Sequence, residues 1–158
     1  MNDTKKRVLF ICSRNACRSQ MAEAIVNHEL GDSWHAESAG TEPSRPNPLM
    51  LLSLSEIGID HSAATSKHLD RFVDEHFDLV ITLCGDANEV CPVFVGGVRR
   101  EHLGFENPDA AVGSDEERMV VFRRVLGQIR EKIPARLRAF EQGKPEVLFE
   151  LGGELAGK

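Results

Sequence analysis

Residues 77–83 are apolar at nearly every position, and this run restricts the fold more than any other feature of the chain. A half-wet strand alternates apolar and polar residues. A strand apolar at successive positions is buried on both faces, the habit of a parallel sheet covered by helices. Residues 7–11 have the same character and end at Cys12. Residues 35–39 read as a shorter strand ending at Gly40, and 98–103 carry enough charge to suggest a sheet edge. Helical spacing fills the intervals. From about Arg18 to Leu30, Met21 and Ile25 share a face, with Ala22, Val26 and Leu30 beside them and Gly31 as a C-cap. Residues 41–47 form a proline-rich loop. Asn47 and Pro48 look like an N-cap and first helical residue, and Gly58 closes that helix. Residues 62–74 leave room for a short helix. Ser114 opens the last helix with Glu117 completing a capping box. Phe122, Leu126, Ile129, Ile133, Leu137 and Phe140 give that helix one core face, and Pro134 is expected to kink it. The order β-α-β-α-β-β-α predicts a three-layer α/β fold, a four-stranded mainly parallel sheet with helices on both faces. Ligands of such folds sit at the carboxyl ends of the strands. Cys12 and Cys84 both lie at such ends.

A chain of 158 residues suits one domain with a real core. The periodicity fades from Gly143, so residues 1–142 are read as a single catalytic domain and 143–158 as a partly mobile tail. A net charge of -6 argues against a nucleic-acid binder, although one local positive pocket is enough for a small anion. The apolar runs fall far short of the roughly 20 residues a membrane-spanning helix needs. Lys5, Lys6 and Arg7 precede an apolar stretch too short for a signal peptide. The expected compartment is therefore the cytoplasm, where thiols stay reduced and four cysteines point to catalysis, redox exchange or metal rather than static disulfides.

The segment Cys12-Ser13-Arg14-Asn15-Ala16-Cys17-Arg18-Ser19 joins the first strand to the first helix and contains Cys-x5-Arg followed by Ser. A loop entering a helix N-terminus aims several backbone N–H groups inward, and the macrodipole adds partial positive charge. Arg18 brings a two-pronged guanidinium for a tetrahedral oxyanion. The same field favours a nucleophilic thiolate at Cys12, and Ser19 can donate a hydrogen bond to it. The loop holds neither glycine nor lysine, so it is not a Walker loop. Against this stands the bland reading, in which Cys12 and Cys17 are small buried hydrophobes and Arg18 is a surface residue.

This strand-Cys-x-x-Asn-x-Cys-Arg-Ser-Gln-Met-Ala-Glu run resembles the phosphate loop of low-molecular-weight tyrosine phosphatases and of the arsenate reductases related to them. Ser38-Ala39-Gly40-Thr41 matches the family's second strand and turn, and the resemblance runs from about Arg7 to Phe140. It implies the low-molecular-weight phosphatase fold, with Ser13, Arg14, Asn15, Ala16, Cys17, Arg18 and Ser19 cradling the oxyanion. Arg14 departs from the small residue expected there and is read as pointing to solvent.

Thr82-Leu83-Cys84-Gly85-Asp86-Ala87 followed by Cys91-Pro92 discriminates within the family. A phosphatase needs a nucleophile, an arginine and an acid, whereas a reductase must also pass two electrons through further thiols. Seven positions separate Cys84 from Cys91. On a helix that is about two turns and roughly 10 Å, beyond the roughly 7 Å that a disulfide spans, so bonding would require local unwinding. The pattern resembles thioredoxin-coupled arsenate reductases, and that resemblance implies a relay. Cys12 attacks arsenate, Cys84 displaces arsenite from Cys12, and Cys91 then takes Cys84 into a disulfide that thioredoxin reduces. It implies no bound cofactor, with electrons from a dithiol donor; phosphate or sulfate would compete with arsenate, and the protein would be a monomer. Two other readings of the cysteines are buried structural residues and a zinc site, but no two-residue ligand spacing occurs. No metal is expected.

The family places a catalytic Asp directly before the proline of its acid loop, and here that position is Asn107. An amide cannot serve as general acid, so Asp109, Glu106 or the proton already on arsenate is expected to take the part. Some arsenate reductases bind potassium beside the loop. By position Asn15, Glu23 and Ser38 match three of the ligands, and Lys67 stands at the fourth. Its ammonium is expected to pair with Glu23 and remove any potassium requirement. The histidines, including His28, His61, His68 and His76, are read as surface or packing residues. A hydrolase and a non-catalytic arsenical sensor are the competing functions. The lost Asp and the absence of tyrosine disfavour the first, and the lack of a nucleic-acid surface disfavours the second.

Overall fold

A computed structural model describes residues 5–85 and 99–143. The strands β1 (Lys6–Ile11), β2 (Trp34–Ala39), β3 (Leu79–Cys84) and β4 (Arg100–Phe105) form one sheet in the order β2-β1-β3-β4. All three pairings are parallel. The chain runs outward from β1 to β2, then crosses back to β3, so the direction of winding reverses between β1 and β3. Ligand crevices of α/β sheets open at such a reversal.

Alternation along β1 sorts the core. Val8 and Phe10 face one way, packing with Met21, Ile25, Met50, Leu54, Phe122 and Ile129 from the helices α1 (Arg18–Glu29), α2 (Pro48–Glu56) and α3 (Asp115–Glu141). Leu9 and Ile11 face the other way, with Leu69 and Phe72 of a short 3-10 helix (Leu69–Phe72) and with Phe77 and Val80. That 3-10 helix is the short helix for which residues 62–74 left room. β4 lies at the edge, as its charges suggest. It is held from behind by the buried carboxylate of Glu101, which Arg136 of α3 grips through Nε at 2.8 Å and Nη2 at 2.9 Å.

Local signals set the helix ends. Asn47 caps α2 by accepting from the Leu49 N–H, with Pro48 first inside. Ser114 and Glu117 form the capping box of α3, and Pro134 lies within that helix without ending it. The C-cap of α1 is Leu30 rather than Gly31. Gly31 is needed for a different reason, because a Cβ there would fall 2.4 Å from the Asn27 carbonyl oxygen. The tail expected after 142 lies, from residue 144 on, outside the described residues. No described helix is long and apolar enough to cross a membrane.

Candidate active site

The loop between β1 and α1 owes its shape to what holds its carbonyl groups. The Ser13, Arg14 and Ala16 carbonyls accept from the backbone N–H groups of Glu42, Ser44 and Asn47 at 3.0, 3.2 and 3.1 Å. The Asn15 carbonyl accepts from the Ser66 hydroxyl at 2.7 Å and from Gln20 Nε2 at 3.1 Å. Four successive carbonyls are thus each held by a partner, an arrangement compatible with an oxyanion cradle on the other side of the loop. Asn15 has a φ of 54° and takes the left-handed conformation that this tight turn demands. It is fully buried, so its polar groups need the partners they have.

β2 must come very close to this loop. A Cβ on Gly40 would lie 2.4 Å from the Ser13 oxygen and 2.6 Å from the Cys12 oxygen, both backbone atoms. Gly40→Ala is therefore expected to push the cradle out of shape. It should weaken phosphate binding, read by calorimetric titration, and lower stability by about 1–3 kcal/mol, read by thermal melting.

Cys12 lies at the end of β1, 2 % exposed, with Sγ 2.9 Å from Ser19 Oγ. Cys84 ends β3, 6 % exposed. Ile11 pairs with Thr82 in the parallel ladder. Cys12 and Cys84 therefore stand at the carboxyl ends of neighbouring strands. Arg18 stands at the same end of the sheet. Its Nη1 donates to the Phe105 carbonyl at 3.2 Å and the Leu83 carbonyl at 3.4 Å. The guanidinium is thereby tied to the ends of β3 and β4, beside the residue that precedes Cys84. Gly85 lets the strands close here, since a Cβ on it would meet the Phe105 carbonyl oxygen at 2.3 Å. Cys84, Gly85, His102, Gly104, Phe105 and Glu106 line a cleft of about 330 Å3 at this end of the sheet. Cys91 lies outside the described residues.

Cys17 is buried at the N-terminus of α1. Burial first, then the charges of Asp109 and Cys12, push its thiol far up against the opposing pull of Arg18 and Arg118. This environment favours the protonated form of Cys17. Arg14 is exposed.

The two candidate acids are placed differently. Glu106 is an exposed partner of Arg124 at 2.7 Å, a surface pair. Asp109 accepts from Asn47 Nδ2 at 2.7 Å and lies close enough to Cys17 to influence its charge. Asn107 caps the short 3-10 turn that follows it, accepting from the Asp109 N–H at 3.0 Å.

Lys67 packs between two carboxylates. Its Nζ lies 3.1 Å from Glu23 Oε1 and 3.4 Å from Glu37 Oε1, with only 10 % of the side chain exposed. Ser38 Oγ donates to Glu23, and the Lys67 N–H donates to Asn15 Oδ1 at 2.8 Å. Burial disfavours charge on Glu37, but the bond from His35 and the charge of Lys67 outweigh it, holding this carboxyl below its usual range. Among the described residues no group of three His, Cys, Asp or Glu is placed to hold a metal ion.

Sequence reasoning gave Gly40 only the end of a strand and a family turn, gave Gln20 no role of its own, and read His61 as a surface or packing residue. Gln20 Nε2 bonds Asn15, and His61 Nε2 bonds Gln20 Oε1 at 2.8 Å, so His61 is more than a packing residue. Nothing in their spacing marks them, because their partners lie across the fold.

A Cys-x5-Arg loop between the first strand and the first helix of a four-stranded parallel sheet defines the class. The chain belongs to the low molecular weight phosphotyrosine protein phosphatase family, whose model matches residues 7–145. Within that family it is 45% identical over 130 residues to an arsenate reductase of Bacillus licheniformis, covering 82% of this chain and 94% of that one. A solved structure of an arsenate reductase in the phosphate binding state aligns with a TM-score of 0.71 and 35% identity, over 84% of this chain and 97% of the other. A thioredoxin-dependent arsenate reductase of Corynebacterium glutamicum aligns with a TM-score of 0.58 and 34% identity, over 85% of this chain and 63% of that one.

Proposed function

We propose that this chain is a cytoplasmic, monomeric arsenate reductase that passes electrons through Cys12, Cys84 and Cys91 to a thioredoxin-type dithiol donor. The observation that carries this reading is the placement of two cysteines, Cys12 and Cys84, at the carboxyl ends of adjacent strands with Arg18 beside them. A phosphatase has no use for the second thiol.

Arsenate enters the cradle formed by the loop's N–H groups and Arg18, where phosphate or sulfate would compete. The Cys12 thiolate attacks arsenic, and an oxygen leaves as water after taking a proton, supplied by the arsenate itself or by Asp109. The Cys84 thiolate then attacks Cys12 Sγ. The S–S bond forms as the S–As bond breaks, and the bonding pair stays on arsenic, which falls from the pentavalent to the trivalent state. Cys91 attacks Cys84 and returns Cys12 as a thiolate. The donor's dithiol reduces the Cys84–Cys91 disulfide and is itself oxidised. The part given to Cys91 and to the donor rests on the family resemblance and on the thioredoxin-dependent relative.

The test is a single turnover without any donor. Reduced protein mixed with arsenate should yield about one arsenite per chain and lose two thiols, with a Cys84–Cys91 bond found by peptide mapping. Retention of all four thiols with no arsenite would sink the relay.

Lys67 supports a further expectation. Its ammonium already sits against both Glu23 and Glu37, so turnover should be equal in sodium and potassium salts. Lys67→Met leaves two half-buried carboxylates together and should cost about 2 kcal/mol of stability. Potassium should restore part of that loss in a thermal melt, and a variant that melts like the parent in both salts would refute this role.

A further inference from the structure

His61 belongs to no motif, yet its ring ends a hydrogen-bonded path that reaches the nucleophile. At the inner end, Ser19 Oγ lies 2.9 Å from Cys12 Sγ and accepts from Asn15 Nδ2 at 2.7 Å. Asn15 Oδ1 accepts from the Lys67 backbone N–H at 2.8 Å. A backbone N–H can only donate, so the orientation of this amide is fixed. The same Oδ1 accepts from Gln20 Nε2 at 3.0 Å. Gln20 Nε2 also meets the Asn15 carbonyl at 3.1 Å and the Thr65 carbonyl at 3.0 Å. Three acceptors around one atom identify it as the amide nitrogen, so Oε1 faces the other way, 2.8 Å from His61 Nε2. An amide oxygen only accepts, and His61 must therefore carry a proton on Nε2. The links from His61 through Gln20 and Asn15 to Ser19 run in one sense, and the Ser19 hydroxyl continues it to Cys12 when the sulfur is a thiolate, which can only accept.

A path of this kind has a chemical use. An amide whose oxygen accepts a hydrogen bond becomes a better donor at its nitrogen, and the polarisation accumulates along the chain. At the inner end Asn15 occupies Ser19 Oγ as donor, and the hydroxyl hydrogen is offered to a negative sulfur. We propose that His61 is a positioning residue for Cys12, the outermost donor of a one-way chain that supports the nucleophile in its thiolate form. The proposal rests on Cys12 being the nucleophile of the function argued above.

The surroundings suit the part. Gln20 is fully buried, so an Oε1 without a donor would be costly, and His61 supplies that donor. Burial, the largest influence, disfavours charge on His61; Glu23 and Asp60 favour it and Lys67 opposes it, with the balance toward the neutral ring. A neutral ring protonated on Nε2 is the tautomer that the chain requires. The ring is half-buried, lining a surface cleft of about 560 Å3 with Pro48, Leu51, Ser55 and Ile59, so it can be replaced without opening the core.

The experiment measures Cys12 alkylation by iodoacetamide as a function of pH, followed by peptide mapping, in the absence of arsenate. Three proteins are compared: the parent, His61→Phe, which removes the donor, and His61→Gln, which restores an amide N–H. In His61→Phe the Cys12 rate at pH 7 should fall by about threefold, its profile displaced upward by about half a pH unit. Cys84 should alkylate at the parental rate in the same sample, which excludes general misfolding, and His61→Gln should recover most of the loss. A Cys12 profile unchanged in His61→Phe would overturn the proposal, as would equal losses at Cys12 and Cys84 that His61→Gln does not repair. Because no arsenate is present, the outcome is independent of the single-turnover assay. A displaced profile in a protein that makes no arsenite would uphold the chain and reject the reductase.

Discussion

Arg18→Lys should lower kcat/KM for arsenate by about 10²–10³-fold while leaving the protein folded. The charge is conserved in this exchange, so the loss isolates what the guanidinium does beyond being positive. Arg18 is 2 % exposed, at the first position of α1, with Nη1 bonded to the Phe105 and Leu83 carbonyls. Those two bonds orient a planar fork against the cradle. Lysine has one rotatable ammonium and cannot both reach the strand ends and grip two oxygens of a tetrahedral anion. Phosphate affinity should fall with catalysis, because the fork contacts the ground-state anion as well. Stability should change by about 1–2 kcal/mol, the cost of leaving a buried carbonyl poorly paired. Steady-state kinetics, phosphate titration and a melt would separate these effects. A loss below tenfold would mean that charge alone suffices and that the tether to β3 and β4 has no catalytic consequence.

The tether bears on what could be read from the chain. The placement of Cys12 and Arg18 was legible because a strand end, a helix start and a Cys-x5-Arg spacing lie within a dozen residues, and Cys84 was legible as the end of a separate apolar strand. The capping box at Ser114 and Glu117 and the Asn47-Pro48 helix start were legible for the same reason. The supports of the site were not. The carbonyls of residues 13, 14 and 16 are held by N–H groups of residues 42, 44 and 47, a pairing that no periodicity announces. Helix α1 makes the point most clearly. Its pattern reads as one apolar face through Met21 and Ile25, yet Arg18, Ser19 and Gln20 are buried as deeply. Polar residues that a surface helix would expose are turned inward because the site lies at the helix start. A local pattern fails where function overrides it. Lys67 came into view only through the position it shares with a ligand of the family's cation site, since its partners Glu23 and Glu37 lie 44 and 30 residues away. Gln20 and His61 had no such guide.

Asn107→Asp should turn the same protein toward phosphate-ester hydrolysis. On the function proposed above, the loop supplies the nucleophile and the anion cradle that the first half of that reaction needs. An ester with a poor leaving group also needs a proton delivered to the departing oxygen. In the phosphatases this chain resembles, an Asp before the proline delivers it, and here Asn107 cannot. The structure shows why the exchange is conservative for the fold. Asn107 Oδ1 caps the turn through the Asp109 N–H at 3.0 Å, and a carboxylate keeps that acceptor. A well-placed general acid contributes about 10²–10⁴-fold. Arg124 and Glu106 are paired with each other close by, and Asp109 is held by Asn47, so the new acid would share its loop with two other carboxylates. Hydrolysis of an alkyl or aryl phosphate should rise by at least about tenfold over the parent. Arsenate reduction should hardly change, since arsenate at neutral pH carries its own proton. Steady-state hydrolysis rates beside single-turnover arsenite yields would read both. If hydrolysis stayed flat, position 107 would not face the leaving group, and the separation of reductase from phosphatase would lie in the geometry of this loop. If it rose and arsenite yield fell together, the two reactions would compete for one proton donor, and Asp109 would be the residue to replace next.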